Sequence, residues 1–253
     1  MYRFLIFCLV LPISPQLFAH PSESPSIGDS ADNGCDFAWE TRELSVKPVP
    51  VPRLKLSNEI SYLKSTGNGG TYFVDGTIEV NNLTEYEELR GAYSLWLSES
   101  QATKVRSELE GKGFARVSLK KILPKEISDL VGRFSECQGA NCFNATLIAT
   151  KFETELQFTP GKKMHEALKE GFRTLERGET LVPGDILVIE GEDSFGIPGI
   201  SHSAVYLGKD VFFHKASRDK DTPYCFERFG GICKPYYRNK IRPNLKFFRR
   251  IRV

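Results

Sequence analysis

Apolar and polar residues alternate in the first half of the chain, which is the pattern of half-buried β-strands. Two alternating segments, residues 71–74 and 77–80, flank Asp75-Gly76, a dipeptide that strongly favours a hairpin turn. Two shorter segments, residues 95–97 and 114–117, are each predicted to form a strand. This half of the chain is therefore expected to build a small sheet around a hairpin.

Helical spacing of apolar residues separates these strands. Thr84 can cap a helix that contains Tyr93, because polar capping residues precede apolar positions three and four residues apart. Ser98 or Ser100 can cap the next helix, which is expected to end by Gly113. The first half of the chain is thus predicted to mix helices and strands.

The second half of the chain changes to helices followed by strands. The predicted helices cover residues 127–134, 142–149 and 163–175, and the predicted strands cover residues 185–189, 202–207 and 211–214. The last strands are joined by a tight turn, so they are expected to be antiparallel. This order predicts the α+β class, with Cys142 at the N-terminus of a helix that packs on an antiparallel sheet.

The N-terminus has the pattern of a signal peptide. Arg3 precedes a short apolar segment at residues 4–11, which is followed by Pro12 and by a small residue, Ala19. We expect cleavage after Ala19 and a periplasmic or extracellular mature protein. The apolar segment is too short to span a bilayer, and we expect no integral membrane segment in the mature chain.

Four regions are predicted from these patterns. Residues 1–19 are the signal peptide, and residues 20–57 form a proline-rich linker that favours extended chain. This linker could be a spacer or a strap across the domain surface. Residues 58–120 form a small mixed α/β accessory module, and residues 121–253 form the catalytic domain.

Composition excludes some functions. The chain has 253 residues, of which 26% are charged, and a formal net charge of only +2, so no strong field attracts nucleic acid. Basic residues near the C-terminus alternate with apolar ones, which predicts a terminal strand with a solvated face. We expect the protein to be a monomer.

Cysteine usage points to one reactive thiol. Cys8 leaves with the signal peptide, so an odd number of cysteines remains in an exported chain. A spacing of eight residues around two glycines suggests one disulfide, and a second pair would remain, although spacing does not fix the connectivity. The suggested pairs are Cys225–Cys233 and Cys35–Cys137, which leave Cys142 unpaired.

Cys142 lies where a loop meets a helix, and this placement suits a nucleophile. The positive end of a helix dipole lowers the pKa of a thiol, and the backbone N–H groups there can stabilise an oxyanion. His202 and His214 lie on the two strands of one hairpin, so one can act as base while the other orients it. The alternative for Cys142 is a buried structural residue.

Metal chemistry is the competing interpretation. Cys142, His202 and His214 could in principle hold zinc. The sequence has no H-E-x-x-H or C-x-x-C motif and no phosphate-binding loop, so we expect neither a metal nor a cofactor. His165 is expected to be a surface or packing residue.

Four segments resemble the NlpC/P60 family of papain-like hydrolases. They are Asn141-Cys142, Leu181-Val182-Pro183-Gly184-Asp185-Ile186-Leu187, His202-Ser203-Ala204-Val205-Tyr206-Leu207-Gly208 and Phe213-His214-Lys215-Ala216. The resemblance implies a papain-like fold and a Cys-His-His triad on Cys142, His202 and His214. It also implies hydrolysis of peptide bonds in bacterial peptidoglycan, and we expect Asn141 or Gln138 to add a donor at the oxyanion.

The sequence departs from the family at the nucleophile. The family usually has Ser-Gly after the cysteine, and this chain has Phe143-Asn144. An amidase, an acyl transferase, an effector that acts on another substrate, or a catalytically idle binding domain are therefore alternatives on the same scaffold. A permuted branch of the superfamily places its cysteine after the histidine, but Cys225 is interpreted here as a disulfide partner.

Overall fold

A computed structural model describes most of the chain beyond the predicted signal peptide. The described residues are 37–43, 46–63, 69–134, 139–192, 198–216, 222–237 and 243–251. They belong to one compact unit that extends from Asn33 to Val253. The predicted cleavage point at Ala19 lies outside the described residues.

Helices and strands contribute in similar measure to this unit, which is of the α+β class. The helices are α1 (Phe37–Glu43), α2 (Leu83–Ala92), α3 (Glu99–Lys112), α4 (Leu119–Ile122), α5 (Lys125–Ser128), α6 (Cys142–Ala149), α7 (Gly161–Gly171) and α8 (Phe229–Cys233), followed by a 3-10 helix (Lys234–Tyr236). The strands are β1 (Lys47–Pro48), β2 (Arg53–Leu63), β3 (Gly69–Val80), β4 (Ala115–Ser118), β5 (Phe172–Thr174), β6 (Thr180–Leu181), β7 (Ile186–Glu192), β8 (Pro198–Gly208), β9 (Val211–Lys215), β10 (Tyr224–Arg228) and β11 (Asn244–Arg250).

Within the described residues, nine strands form one antiparallel sheet. Its order is β2-β3-β10-β9-β8-β7-β11-β5, and β4 also pairs with β3. A separate parallel pair joins β1 to β6. The central strands β8, β9 and β10 are covered on both faces, which explains why apolar residues occupy consecutive positions there.

Successive side chains on these central strands point to opposite faces of the sheet. On one face, Val205 and Phe213 pack in the same cluster as residues of α6, and we call this the α6 face. On the other face, Tyr206 and Phe212 pack against Phe229 of α8, and we call this the α8 face. The two faces therefore have separate apolar cores.

The predicted boundary at residues 120 and 121 does not divide the structure. Strand β3 pairs with β10 at Phe73 and Phe226, so residues from both predicted domains share one sheet. The core of the α6 face likewise combines Ile78 and Leu89 with Phe213. The accessory module is thus a part of the same compact unit.

Part of the predicted linker is a strap across the domain. Val46 is buried, the N–H of Lys47 donates to the carbonyl of Glu179 at 3.0 Å, and the N–H of Val49 donates to that of Leu181 at 2.8 Å. Phe37 stacks on Tyr206 with ring centroids 5.9 Å apart. The strap therefore completes the core of the α8 face.

The predicted hairpin at Asp75-Gly76 is wrong, because β3 continues through both residues. A Cβ on Gly76 would lie 2.5 Å from Cδ1 of Leu119, so this glycine permits close packing rather than a turn. Asp75 accepts a hydrogen bond from the Gly76 N–H at 2.8 Å. The turn signal of this dipeptide is overridden by packing against α4.

Other local predictions had mixed outcomes. Residues 95–97 form a turn, not a strand, because the N–H groups of Trp96 and Leu97 donate to the Tyr93 carbonyl. The helix predicted over residues 127–134 is limited to α5. The Ser98 cap and the Gly113 terminus of α3 are confirmed, as are α6 and the terminal strand β11. In the described part of the chain, no helix is both long and apolar enough to cross a membrane.

Candidate active site

The structure brings the two predicted histidines together on the α8 face. His202 lies on β8 and His214 lies on β9, and each is only 2% exposed. Nε2 of His202 lies 2.9 Å from Nδ1 of His214, which is hydrogen-bonding distance. The two rings meet edge to face, so one imidazole fixes the orientation of the other.

A carboxylate extends this pair. Nε2 of His214 lies 2.8 Å from Oε2 of Glu227 on β10, and the Glu227 side chain is 12% exposed. A Cβ on Gly231 would lie 2.2 Å from Oε1 of Glu227, so the bare backbone of α8 makes room for the carboxylate. His202, His214 and Glu227 thus form a continuous chain of hydrogen bonds, which we call the His-His-Glu chain.

An aromatic ring covers the outer end of this chain. Tyr236 of the 3-10 helix stacks on His202, with ring centroids 5.7 Å apart. Because the ring of His202 is held between Tyr236 and His214, its rotation is restricted. Restricted rotation of an imidazole favours a fixed proton-transfer geometry.

Cys225 is the thiol on the same face as the His-His-Glu chain. It is a free cysteine, fully buried, and directly opposite His214 in the pairing of β10 with β9. Its Sγ, a ring nitrogen of His214 and a carboxylate oxygen of Glu227 all lie within 4.8 Å of one another. Burial raises the pKa of Cys225 well above its ordinary value, the nearby Glu227 charge raises it further, and Lys215 lowers it.

Cys142 begins α6, as predicted, and is also free and buried. Burial raises its pKa to about 11, although backbone hydrogen bonds, chiefly that of Ser203, and the charge of Lys215 lower the pKa. Ser203 Oγ donates to the carbonyl of Cys142 at 3.3 Å and lies 2.9 Å from Oγ1 of Thr146. The surroundings of Cys142 thus belong to the α6 face.

The predicted triad is not assembled, because the sheet lies between its members. His202 and Ser203 are neighbours on β8, so their side chains point to opposite faces, and Ser203 contacts α6. The same alternation separates His214 from Lys215 on β9. Cys142 therefore shares a face with Ser203 and Lys215, whereas the two histidines share a face with Cys225.

The structure describes one of the two proposed oxyanion donors, Asn141. The side-chain amide of Asn141 donates to the carbonyl of Thr159 at 2.7 Å, and its oxygen accepts from the N–H of Asn144 at 3.1 Å. These bonds cap α6 and hold the following loop, so the Asn141 side chain has a structural role there. Gln138 lies outside the described residues.

Asn144 explains part of the departure from the family pattern. It is fully buried, and its amide donates to Glu153 at 2.9 Å and to the carbonyl of Glu155 at 3.0 Å. Its oxygen accepts from the N–H of Gln157 at 3.0 Å. Asn144 thereby fixes the loop after α6, which is a structural role that glycine cannot have.

The suggested disulfide between Cys225 and Cys233 is wrong. Cys225 is free, while Cys233 at the end of α8 is disulfide-bonded to a cysteine other than Cys225 or Cys142. Cys35 and Cys137, the other suggested pair, lie outside the described residues. The pairing of β10 with β9 places Cys225 opposite His214 instead.

Three of these side chains could hold a metal ion. His214, Cys225 and Glu227 offer one nitrogen, one sulfur and one oxygen ligand within 4.8 Å of one another. The set suggested from the sequence, Cys142 with the two histidines, cannot converge because Cys142 lies on the other face. In the set that the structure brings together, Cys225 and Glu227 take the places of Cys142 and His202.

Glu227 and Cys225 were the site residues that sequence reasoning missed. They are separated by one residue in the segment Tyr-Cys-Phe-Glu-Arg, and this alternation is the signal that both face the same side of a strand. Only the strand order, with β10 beside β9, shows that this side is the one that carries His214.

Comparison with known proteins gives no relative: no family model, no curated protein and no solved structure matches this chain.

Proposed function

We propose that this chain is an exported cysteine hydrolase that cleaves amide bonds, with a papain-like arrangement of helix and sheet. The observation that carries the proposal is the His-His-Glu chain, which is continuous, has two buried histidines and lies next to a free thiol. A thiol, a base and a group that orients the base are the three parts of nucleophilic catalysis. Peptidoglycan stem peptides are the proposed substrate, and this choice rests on the NlpC/P60 resemblance.

The proposed nucleophile is Cys225. Of the cysteines described, Cys233 is disulfide-bonded and Cys142 lies on the α6 face, so Cys225 is the thiol next to His214. Because burial keeps its pKa high, Cys225 is a neutral thiol at pH 7 and needs a base to react. His214 on the neighbouring strand is that base.

The reaction follows from the hydrogen bonds of His214. Its Nδ1–H donates to Nε2 of His202, its Nε2 takes the thiol proton of Cys225, and the thiolate attacks the amide carbonyl carbon. The imidazolium of His214 then donates from Nδ1 to His202 and from Nε2 to Glu227, so both of its N–H groups have acceptors. His214 returns the proton to the leaving amine, and water hydrolyses the thioester.

The test compares matched serine variants of the two free thiols. Purified peptidoglycan is incubated with the wild-type protein, Cys225→Ser and Cys142→Ser, and the fragments are analysed by mass spectrometry. We expect new amino and carboxyl ends with the wild type and Cys142→Ser, and a loss of about a thousandfold or more with Cys225→Ser. Activity that is lost only in Cys142→Ser would assign the nucleophile to Cys142 instead.

A catalytically idle binding domain is the second candidate, and the burial of both free thiols favours it. The raised pKa of Cys142 and of Cys225 is the opposite of what most reactive cysteines show. In that case none of the three proteins releases fragments. Protein that sediments together with insoluble peptidoglycan would then indicate binding without cleavage.

A further inference from the structure

We propose that His214, Cys225 and Glu227 form a binding site for a thiophilic divalent metal ion, with Zn²⁺ as the best match. Metal binding at these atoms does not depend on the proposed hydrolase activity. It would block that activity, because a thiolate bound to a metal ion is not available as a nucleophile. The inference therefore adds a site that can inhibit the enzyme.

The donor types support this choice of metal. One thiolate, one imidazole nitrogen and one carboxylate oxygen are a ligand set that suits Zn²⁺ and Co²⁺, whereas Mg²⁺ and Ca²⁺ prefer oxygen ligands alone. Three protein ligands leave a fourth position of a tetrahedron for water. Within the described residues, this is the group of three such side chains whose ligand atoms converge.

The distances require only small movements. Tetrahedral zinc bonds place neighbouring ligand atoms roughly 3.4–3.6 Å apart. The three atoms lie within 4.8 Å of one another, and Nε2 of His214 lies 2.8 Å from Oε2 of Glu227. The sulfur of Cys225 therefore needs to move in by about 1 Å at most, and the Glu227 oxygen needs to move out by less than about 1 Å. Rotation of the two side chains provides such movements.

The second nitrogen of His214 already has the partner that a metal ligand needs. If Nε2 binds the metal, Nδ1–H donates to Nε2 of His202 at the observed 2.9 Å. Such an outer hydrogen bond fixes the tautomer and orientation of a metal-binding histidine. The strand pairing that places Cys225 opposite His214 holds the second ligand without any loop.

Proton balance and access are also satisfied. Binding replaces the thiol proton of Cys225, which passes to solvent, and leaves the carboxylate of Glu227 and a neutral His214 as ligands. No oxidation or reduction is involved. The Glu227 side chain is 12% exposed, so the ion can enter from its side of the cluster.

The test uses the full chain without a histidine tag and Co²⁺ as a spectroscopic probe. We expect one equivalent of Co²⁺ to produce a thiolate-to-cobalt charge-transfer band in the near ultraviolet, and Zn²⁺ to displace it. The band should be lost in Cys225→Ser and retained in Cys142→Ser, which removes an equally free thiol on the other face. Glu227→Gln should weaken Co²⁺ binding about tenfold or more while keeping the band.

Several results would overturn the proposal. They are no band with the wild type, a band that survives in Cys225→Ser, and a band that is lost in Cys142→Ser. If circular dichroism shows that Cys225→Ser is unfolded, X-ray absorption on the wild-type cobalt complex decides, since a first shell without sulfur excludes Cys225. Because no step of this test measures hydrolysis, it can succeed or fail independently of the proposed function.

Discussion

Cys142 and Cys225 show how burial and charge compete at single residues. Both are free thiols, and burial is the largest influence on the pKa of each. The charge of Lys215 lowers the pKa of both thiols, although they lie on opposite faces of the sheet. A position at the start of a helix is therefore not enough to activate Cys142, because the loss of solvent outweighs the backbone hydrogen bonds and the Lys215 charge that lower its pKa.

The raised pKa of Cys142 predicts slow alkylation in the native protein. Its pKa is about 11 instead of 9.0, so at pH 8 the native protein has about a hundredfold less thiolate than the unfolded chain. Only the thiolate reacts, and the rate should rise about tenfold per pH unit until about pH 11. Iodoacetamide labelling with mass spectrometry of the Cys142 peptide measures it, and the same peptide in guanidinium is the control. Equal rates at pH 8 in both states would contradict a buried Cys142.

At the residue scale, the sequence predicted members of the site but not which of them meet. His202 and His214 were expected to interact because they lie on one hairpin, and strand spacing is enough for that inference. Their separation from Cys142 depends on which face each strand residue takes against α6. That choice is set by packing between distant segments, which one sequence does not reveal.

At the element scale, a glycine in α8 allows the carboxylate of Glu227 to lie close to the helix backbone. Because a Cβ on Gly231 would meet Oε1 of Glu227 at 2.2 Å, the close approach of helix and carboxylate depends on the missing side chain. The carboxylate is the end of a flexible side chain, so it would move before the helix does. A change at Gly231 should therefore act on the His-His-Glu chain more than on the fold.

Gly231→Ala tests this arrangement. We expect the Glu227 carboxylate to leave His214, so that the downfield imidazole N–H proton of their hydrogen bond disappears from the NMR spectrum. The free energy of unfolding in urea should change by about 1 kcal/mol or less, because alanine favours a helix while the displaced carboxylate opposes the gain. Gly111→Ala, where no atom lies within 4 Å of the new Cβ, is the matched control and should keep the proton signal. An unchanged signal in Gly231→Ala would contradict the close approach.

Elements with strong local signals were the ones predicted correctly. Helix α3 has a capping box between Ser98 and Gln101 and a left-handed Gly113, and both are local in sequence. The hairpin at Asp75-Gly76 failed because the contact that decides it, with Leu119, comes from more than forty residues away. Turn chemistry predicts a structure only where no distant segment competes for it.

At the scale of the whole molecule, the sheet makes one unit of regions that looked separable. Residues of β3 and α2 share a core with Phe213 and Phe226. The α8 face in turn needs the strap, because Phe37 packs against Tyr206, Phe212 and Phe229. Both faces therefore depend on residues N-terminal to the predicted catalytic domain.

A fragment of residues 121–253 tests this dependence. It lacks β2, β3, β4, α2 and α3, so it should expose the apolar side chains of Val205, Phe213 and Phe226. We expect no cooperative unfolding transition in urea and poor dispersion in the NMR spectrum, because the lost core is larger than the usual margin of stability. The full chain under the same conditions is the control. A cooperative transition for the fragment would restore the division into two domains.

The alternation of faces on β8 and β9 also has a consequence for inherited change. On each strand, the side chains at even-numbered positions point to one face and those at odd-numbered positions point to the other. In the pairing of β7 with β8, the register shifts between Ile189 and Glu190, and this shift determines which β8 residues point to which face. Deleting or inserting one residue in β8 would exchange the two faces, turning Ser203 toward His214 and His202 toward α6. Deleting or inserting two residues would leave each side chain on its original face. The parity of an insertion or deletion, more than its length, should decide whether a descendant of this chain keeps its buried histidine chemistry.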